Sequence, residues 1–147
     1  MSIGASAQII EGTMRLSFHI HFNGNCQEAF ELYEVLLDGK IGTMLPFGKS
    51  PAAANVPEDW QSKIVHANIQ IFGVEISGDD IPPDQYEAPK GFYVLLAFEN
   101  EGKTSAAFEE LSKDGKIIFP LQKTFWSPCY GIVVDRFGVP WKLNSVA

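Results

Sequence analysis

The amino-acid sequence predicts an α+β protein that is built from two tandem βαβββ modules. Several segments alternate apolar and polar residues as strands do, two segments carry the apolar stripe of an amphipathic helix, and the order of one strand, one helix and three strands occurs twice. The chain has 147 residues, of which 46% are hydrophobic. A chain of this size and composition buries a sizeable core without disulfide bonds or a structural metal.

The first module begins with a strand and a helix. Residues 16–22 alternate strictly between apolar and polar side chains, which predicts a half-buried strand. Asn25 then predicts the N-cap of a helix, with Glu28 at the spacing of a capping box. Gly39 follows the last apolar residue of the helical stripe and predicts its C-cap. The apolar side of this helix is expected to pack on the apolar face of the strand.

Three further strands complete the first module. They are predicted at residues 40–44, 63–71 and 74–77, and Gly73 forms a tight turn between the last two. Residues 46–57 are rich in proline, glycine and alanine and have no periodicity, so we expect a long loop there.

The second module repeats this order. A strongly apolar strand is predicted first, followed by a helix that Gly115 closes. The predicted ranges are 91–98 for the first strand, 104–113 for the helix, and 116–120, 129–134 and 139–144 for the other strands.

A short sequence repeat supports an internal duplication. Ala29-Phe30-Glu31 precedes Asp38-Gly39-Lys40-Ile41 in the first module, and Ala107-Phe108-Glu109 precedes Asp114-Gly115-Lys116-Ile117 in the second. Two helices that both end in Asp-Gly-Lys can also match by chance. Together with the repeated order of elements, the match favours duplication.

The modules are predicted to form a single domain over residues 14–147. Module one covers residues 14–80, a polar linker with prolines covers 81–90, and module two covers 91–147. Residues 1–13 have neither the basic region nor the apolar run of a signal peptide, so we interpret them as a flexible N-terminal extension.

Charge and cysteine content exclude several classes of function. The net charge is −7 and no cluster of lysines and arginines occurs, so neither nucleic acid nor a membrane is expected as a partner. Cys26 and Cys129 have no spacing of a disulfide framework, a redox pair or a zinc site, which indicates a cytoplasmic protein. Cys26 lies in the first turn of a helix, where the dipole lowers a thiol pKa, but no basic residue is adjacent. Both cysteines are therefore interpreted as packing groups.

Several motifs resemble one branch of a known superfamily. The stretch 22–33, His66-Ala67-Asn68, Thr124-Phe125-Trp126, the run 131–135 and Gly138-Val139-Pro140-Trp141 are similar to PhnB-like proteins. These belong to the vicinal oxygen chelate superfamily of glyoxalases, bleomycin-resistance proteins and extradiol dioxygenases. The resemblance covers about residues 16–145, and its most specific part lies at the C-terminal end.

The resemblance implies an open, cleft-bearing eight-stranded sheet with the helices outside. Members of the branch are also called 3-demethylubiquinone-9 3-methyltransferase-like. A nucleotide-type methyl donor would ordinarily need a glycine-rich turn between a strand and a helix of a parallel sheet, and the sequence has no such turn. We therefore do not predict methyl transfer.

Metal ligands in this superfamily, where present, come from the first and fourth strands of each module. In module one the resemblance implies His19, with His21 on the same side, and Glu75 or Ser77. In module two it offers Tyr93 where a histidine is expected. Lys142 or Asn144 stands where a glutamate is expected, and an ammonium group repels a divalent cation.

The sequence therefore does not predict a full metal site, and no cofactor is expected. Polar and aromatic residues that the strand pattern and the resemblance assign to the cleft form the candidate ligand site: His19, His21, His66, Asn68, Glu75, Tyr93, Trp126, Tyr130 and Lys142. The first function that we consider is binding of a small molecule without an assigned reaction. The alternative is a metal-dependent lyase, isomerase or dioxygenase that uses His19, His21 and Glu75 as an incomplete ligand set. Whether the protein is an enzyme stays open.

Two further expectations concern partners. Strand alternation places Lys142 on the cleft side, where its charge would favour an organic anion, unless its ammonium group extends to solvent from the rim. Apolar residues at the strand edges favour association, and proteins of the superfamily that the sequence resembles commonly form pairs. We therefore expect a homodimer.

Overall fold

A computed structural model describes residues 14–147. The predicted extension at residues 1–13 lies outside the described part. The elements, in chain order, are β1 (Phe18–Phe22), α1 (Cys26–Leu36), β2 (Lys40–Pro46), β3 (Ile64–Ile71), β4 (Val74–Asp80), β5 (Val94–Phe98), α2 (Glu101–Ser112), β6 (Lys116–Gln122), β7 (Cys129–Val134) and β8 (Pro140–Ser145).

The strands form two mixed four-stranded sheets with the same topology. Their strand orders are β1-β4-β3-β2 and β5-β8-β7-β6. In each sheet the first and last strands of the module pair in parallel, and the other neighbours pair antiparallel. The predicted α+β class with two tandem βαβββ modules is confirmed.

The described chain divides into two compact units, one ending at Tyr86 and one running from Glu87 to Ala147. The predicted end of β4 at residue 77 is wrong, because the strand continues to Asp80. Aspartates are unfavourable in strands, so the residue pattern predicts a strand end before residues 79 and 80. The single domain and the module limits stay predictions.

Helix α1 is capped differently from the prediction. The Asn25 side chain makes no capping hydrogen bond. The first helical N–H, that of Cys26, donates instead to Asp80 Oδ1 at 2.9 Å, and Ile64 N–H donates to Asp80 Oδ2 at 2.8 Å. A carboxylate from a distant strand therefore replaces the expected local cap, because it satisfies a helix N–H and a strand N–H together.

Helix α2 begins three residues earlier than predicted. Asn100 is its N-cap, and its side chain accepts a hydrogen bond from Lys103 N–H at 2.9 Å. Asparagine is among the preferred N-cap residues, since its side-chain oxygen satisfies a free N–H of the first turn. The predicted start at Thr104 is therefore wrong by about one turn.

The repeated Asp-Gly-Lys motif has a structural cause. The left-handed residues after the helices are Asp38 (φ 54°) and Asp114 (φ 55°), so the prediction that the glycines are the left-handed caps is wrong. The glycines are needed for another reason. A Cβ atom on Gly39 would lie 3.0 Å from Gln70 O, and one on Gly115 would lie 2.5 Å from Val134 O. Both modules therefore need glycine at this position, where the chain turns from the helix into the next strand.

In each unit a helix phenylalanine packs against a glycine of the sheet, on β4 in the first unit and on β7 in the second. Phe30 of α1 lies against Gly78, where a Cβ atom would be 3.0 Å from its ring, and Phe108 of α2 lies against Gly131 at 2.7 Å. Both phenylalanines are buried. Each helix therefore covers one face of the sheet of its own unit, and the opposite face carries the polar residues considered below.

Strand β1 is less buried than its alternation predicts. Phe22 is fully buried, but Phe18 is 43% exposed and Leu16 is 88% exposed and precedes the strand. The turn between β3 and β4 is confirmed at Gly73, with Phe72 and Gly73 both at positive φ as a two-residue hairpin requires. Among residues 14–147, no helix is long and apolar enough to cross a membrane.

Candidate functional site

Parallel pairing of β1 and β4 builds the most polar surface of the first unit. In register, His19 lies beside Ser77 and His21 lies beside Asp79. Because side chains alternate across a strand, all four point to the sheet face opposite α1. We call this surface the histidine face.

The two histidines converge on one carboxylate oxygen. His21 Nδ1 lies 2.7 Å from Asp79 Oδ1, and His19 Nε2 lies 3.2 Å from the same atom. Two imidazoles and one carboxylate therefore present their polar atoms within 4.8 Å of one another. Exposed fractions of 43% and 57% for the two histidine side chains leave the cluster open to solvent and to a ligand.

Ser77 fixes the orientation of the first histidine. Its Oγ lies 2.7 Å from His19 Nδ1, and it also donates to Phe18 O at 3.3 Å. When the hydroxyl donates to Phe18 O, His19 donates from Nδ1 and its Nε2 lone pair faces Asp79. When the hydroxyl donates to His19 instead, Nε2 carries the proton and donates to Asp79.

Sequence reasoning missed the carboxylate of this cluster. Glu75, the predicted partner of the histidines, accepts instead from Arg15 Nη1 at 2.9 Å. Asp79 lies four residues further along the same face of β4. The alternation of polar residues at 75, 77 and 79 was the available signal, and the predicted end of the strand at residue 77 concealed it.

The other two polar candidates of the first unit lie on the same face of β3. Asn68 Oδ1 accepts from Thr43 N–H at 3.0 Å and fills a β-bulge at Gly42, where a Cβ atom would be 2.5 Å from that oxygen. Asn68 is therefore occupied by a structural hydrogen bond. His66 is exposed, and its side chain forms no hydrogen bond or ion pair within residues 14–147.

The donor set of the histidine face fits a divalent metal ion. Imidazole nitrogens and carboxylate oxygens ligate zinc, manganese, nickel and iron. A ligating histidine usually donates its second ring N–H to a neighbouring acceptor, and Ser77 Oγ offers His19 that acceptor. His19, His21 and Asp79 would hold the metal, with open positions for water or substrate.

The second unit has no such set at the equivalent positions. In register, Leu95 lies beside Lys142 and Ala97 lies beside Asn144. Because β5 and β8 pair as β1 and β4 do, these four residues replace His19, Ser77, His21 and Asp79. Tyr93 precedes β5 on the same face. None of the four residues carries an imidazole or a carboxylate, and the residue at the position of His19 is Leu95, not Tyr93 as the resemblance implied.

A sequence model of the Glyoxalase/Bleomycin resistance protein/Dioxygenase superfamily matches residues 18–143. The chain belongs to this superfamily. Protein YjdN of Escherichia coli (strain K12) is 34% identical over 141 residues, which cover 90% of this chain and 96% of that protein.

Solved structures support the same assignment. Protein PA1353 from Pseudomonas aeruginosa has a TM-score of 0.80 and 36% identity, and the match covers 90% of this glyoxalase-superfamily chain and 98% of that one. A PhnB protein from Bacillus cereus has a TM-score of 0.79 at 22% identity, with coverage of 90% and 99%. The predicted superfamily is therefore confirmed, and the Bacillus cereus protein shares its fold.

One motif of the glyoxalase-superfamily resemblance has a structural role here. Asp135 is buried; its Oδ1 accepts from Phe137 N–H at 2.9 Å and Val139 N–H at 3.0 Å, and its Oδ2 accepts from Trp141 Nε1–H at 2.8 Å. Trp141 is fully buried in the core on the α2 side of the sheet. The hydrogen bonds of Asp135 therefore stabilise the turn between β7 and β8, and neither Asp135 nor Trp141 lines a site.

The aromatic candidates of the second unit lie on the opposite face. Tyr130 pairs in register with Asn144, and the rings of Tyr130 and Trp126 lie 5.1 Å apart in an edge-to-face arrangement. Trp126 is 54% exposed. Tyr93 contacts Lys142, whose Nζ lies 4.9 Å from the ring centroid. These side chains form a second surface, the lysine face: Tyr93, Leu95, Trp126, Tyr130, Lys142 and Asn144.

Both cysteines of this glyoxalase-superfamily chain are packing groups. Burial raises the pKa of the Cys26 thiol, and the charges of Asp80 and Asp79 raise it further. Burial also raises the pKa of the Cys129 thiol. The neutral thiol is a poor nucleophile, so the predicted dipole effect on Cys26 does not make it reactive.

We expect neither thiol of the native protein to react with an aromatic disulfide reagent at pH 7 on the timescale of minutes. In denaturant, both thiols should react at once, because unfolding removes the burial that holds them protonated. The measurement is the absorbance of the released thiolate. Rapid reaction of one native thiol would contradict this assignment.

Proposed function

We propose that this chain binds a small organic molecule and that the histidine face contacts the polar group of that molecule. The convergence of His19 Nε2 and His21 Nδ1 on Asp79 Oδ1 supports the proposal. A solvent-open group of two imidazoles and one carboxylate can donate or accept hydrogen bonds near neutral pH. The superfamily assignment supports a ligand-binding fold but names no ligand.

The chain offers a matched control for the carboxylate. Glu75 and Asp79 lie on the same face of β4, and the exposed fractions of their side chains are similar, at 15% and 21%. Only Asp79 reaches both histidines. The variants Asp79→Asn and Glu75→Gln therefore change the net charge equally and differ in whether they alter the histidine cluster.

Thermal-shift screening of small organic acids, aldehydes and amides at millimolar concentration tests the proposal. We expect some compounds to raise the melting temperature of the wild type and of Glu75→Gln, but not that of Asp79→Asn, because ligand binding stabilises the folded state. The proposal fails if no compound stabilises the wild type, or if the stabilising compounds act equally on both variants.

A second candidate function is a metal-dependent lyase, isomerase or dioxygenase. The specific observation in its favour is the hydrogen bond of His19 Nδ1 with Ser77, which directs Nε2 toward Asp79 and His21. A metal at His19, His21 and Asp79 would polarise a bound oxygen atom of the substrate. This ligand set differs from the predicted one, since Asp79 replaces Glu75.

Elemental analysis of protein purified without a His-tag tests this candidate. We expect near-stoichiometric zinc, nickel, iron or manganese in the wild type and in Glu75→Gln, and a loss of about tenfold or more in Asp79→Asn and His21→Ala. Less than a tenth of an equivalent in the wild type, together with no thermal shift on adding Mn²⁺ or Zn²⁺, would exclude it.

Homodimer formation and a cytoplasmic location remain predictions of the sequence.

A further inference from the structure

The lysine face carries a half-buried cation among apolar neighbours. Lys142 of β8 lies between Leu95 of β5 and Ile132 of β7 in register. Its ammonium group lies over the Tyr93 ring, 4.9 Å from the centroid. Of the ion pairs found within residues 14–147, none includes Lys142. The ammonium therefore has an aromatic partner but no anionic one in the described chain.

A hydrogen-bond acceptor without a donor lies on the same face. Asn144 Oδ1 is buried and has no hydrogen-bond partner within the described residues. Asn144 is two residues from Lys142 on β8, so both side chains point the same way. Buried polar atoms in folded proteins are nearly always satisfied, and an unsatisfied one indicates a missing partner.

Exposed aromatic rings complete this surface. Tyr130 lies opposite Asn144, and its ring contacts Trp126 at 5.1 Å and Phe119 at 5.7 Å. Trp126 is half exposed although it is large and apolar. Aromatic rings beside a cation and a free acceptor are a typical lining for a ligand that has a flat body and a charged end.

We propose that the lysine face binds a small aromatic carboxylate. The carboxylate pairs with the Lys142 ammonium, the ring packs against Trp126 and Tyr130, and a hydroxyl or amino group of the ligand donates to Asn144 Oδ1. This inference goes beyond the proposed function of the histidine face, because it assigns a class of ligand to the second unit. It uses only residues of the second unit, so its test does not depend on the histidines.

Binding of benzoate, measured by calorimetry against benzamide and acetate, tests the charge and the ring separately. Benzamide has the same shape without the charge, and acetate has the charge without the ring. We expect benzoate to bind wild type at least about fivefold more tightly than either control. Benzamide lacks the charge contact with Lys142 and acetate lacks the stacked ring, and each of these contacts contributes about that factor. Equal binding of all three probes would overturn the proposal without any variant.

Variants then assign the contacts to residues. Lys142→Met should weaken benzoate binding about fivefold and leave benzamide unchanged, and Lys142→Arg should restore the preference for benzoate. Lys103→Met is the matched control, since Lys103 is an exposed lysine on α2 of the same unit and pairs with Glu99, which precedes the helix. If Lys103→Met weakens benzoate as much as Lys142→Met does, the effect is one of net charge and the proposal fails.

Asn144 is tested with the three isomers of hydroxybenzoate. We expect one isomer to bind wild type about threefold to tenfold more tightly than benzoate, and Asn144→Leu to remove that gain but keep benzoate binding. A gain that persists in Asn144→Leu would overturn the role of Asn144. Two results together would separate this inference from the proposed role of the histidine face. If benzoate binds Asp79→Asn normally, this inference is upheld. If, in addition, no screened compound depends on Asp79, the proposed role of the histidine face is contradicted.

Discussion

Replacing Asp135 by alanine is expected to destabilise the protein by about 3–5 kcal/mol. The carboxylate is buried and accepts three hydrogen bonds, from Phe137 N–H, Val139 N–H and Trp141 Nε1–H. Alanine leaves all three donors in the interior without an acceptor. Urea unfolding, followed by tryptophan fluorescence and by circular dichroism, measures the free energy of unfolding.

A double-mutant cycle separates the indole contact from the turn. Asp135→Asn keeps an oxygen for the two backbone donors but turns an NH₂ group toward the indole N–H of Trp141. In the background Trp141→Phe, which has no indole donor, this substitution should cost about 1 kcal/mol less than in wild type. Equal costs in both backgrounds would mean that the hydrogen bond between Asp135 and Trp141 contributes nothing measurable.

Replacing Asp80 by alanine is expected to cost about 2–4 kcal/mol, the second largest effect. It leaves Cys26 N–H and Ile64 N–H buried without an acceptor. The loss should also depend on pH. Burial raises the pKa of Asp80 above the ordinary 3.8, although the N–H groups of Ile64 and Cys26 lower it in part.

The direction of the pH dependence follows from the raised pKa. The folded protein holds the Asp80 proton more tightly than the unfolded chain does, so this contribution to stability is complete below the ordinary carboxyl pKa of 3.8 and is lost as the pH rises through the folded value. The stability of the wild type relative to Asp80→Asn should therefore fall as the pH rises above 3.8 and then level off. Urea unfolding of both proteins at several pH values measures this difference.

Asp84→Asn is the control for the Asp80 experiment. Asp84 is exposed and lies in a turn after β4. Its substitution should change the unfolding free energy by less than about 0.5 kcal/mol at every pH. A stability difference between wild type and Asp80→Asn that rises with pH would show that the folded state prefers the charged carboxylate, and would contradict a raised pKa.

The local pattern of the sequence was sufficient for the class of fold. Alternation in β1 and β3, the apolar stripes of both helices and the repeated Ala-Phe-Glu and Asp-Gly-Lys motifs each report on neighbours a few residues away. Such signals are complete in the sequence, because side-chain direction in a helix or strand is set by its period. The sequence likewise places all three histidines in the first module.

Only the tertiary structure decided which carboxylate acts where. Three aspartates at or just after strand ends have different roles. Asp79 contacts two histidines, and Asp80 caps a helix that begins 54 residues earlier. Asp135 accepts a hydrogen bond from a buried indole. Each role depends on the register of strands that are far apart in the chain. The alternation of β1 predicts the face that His19 and His21 occupy, but it specifies neither the partner strand nor the register that places His21 beside Asp79.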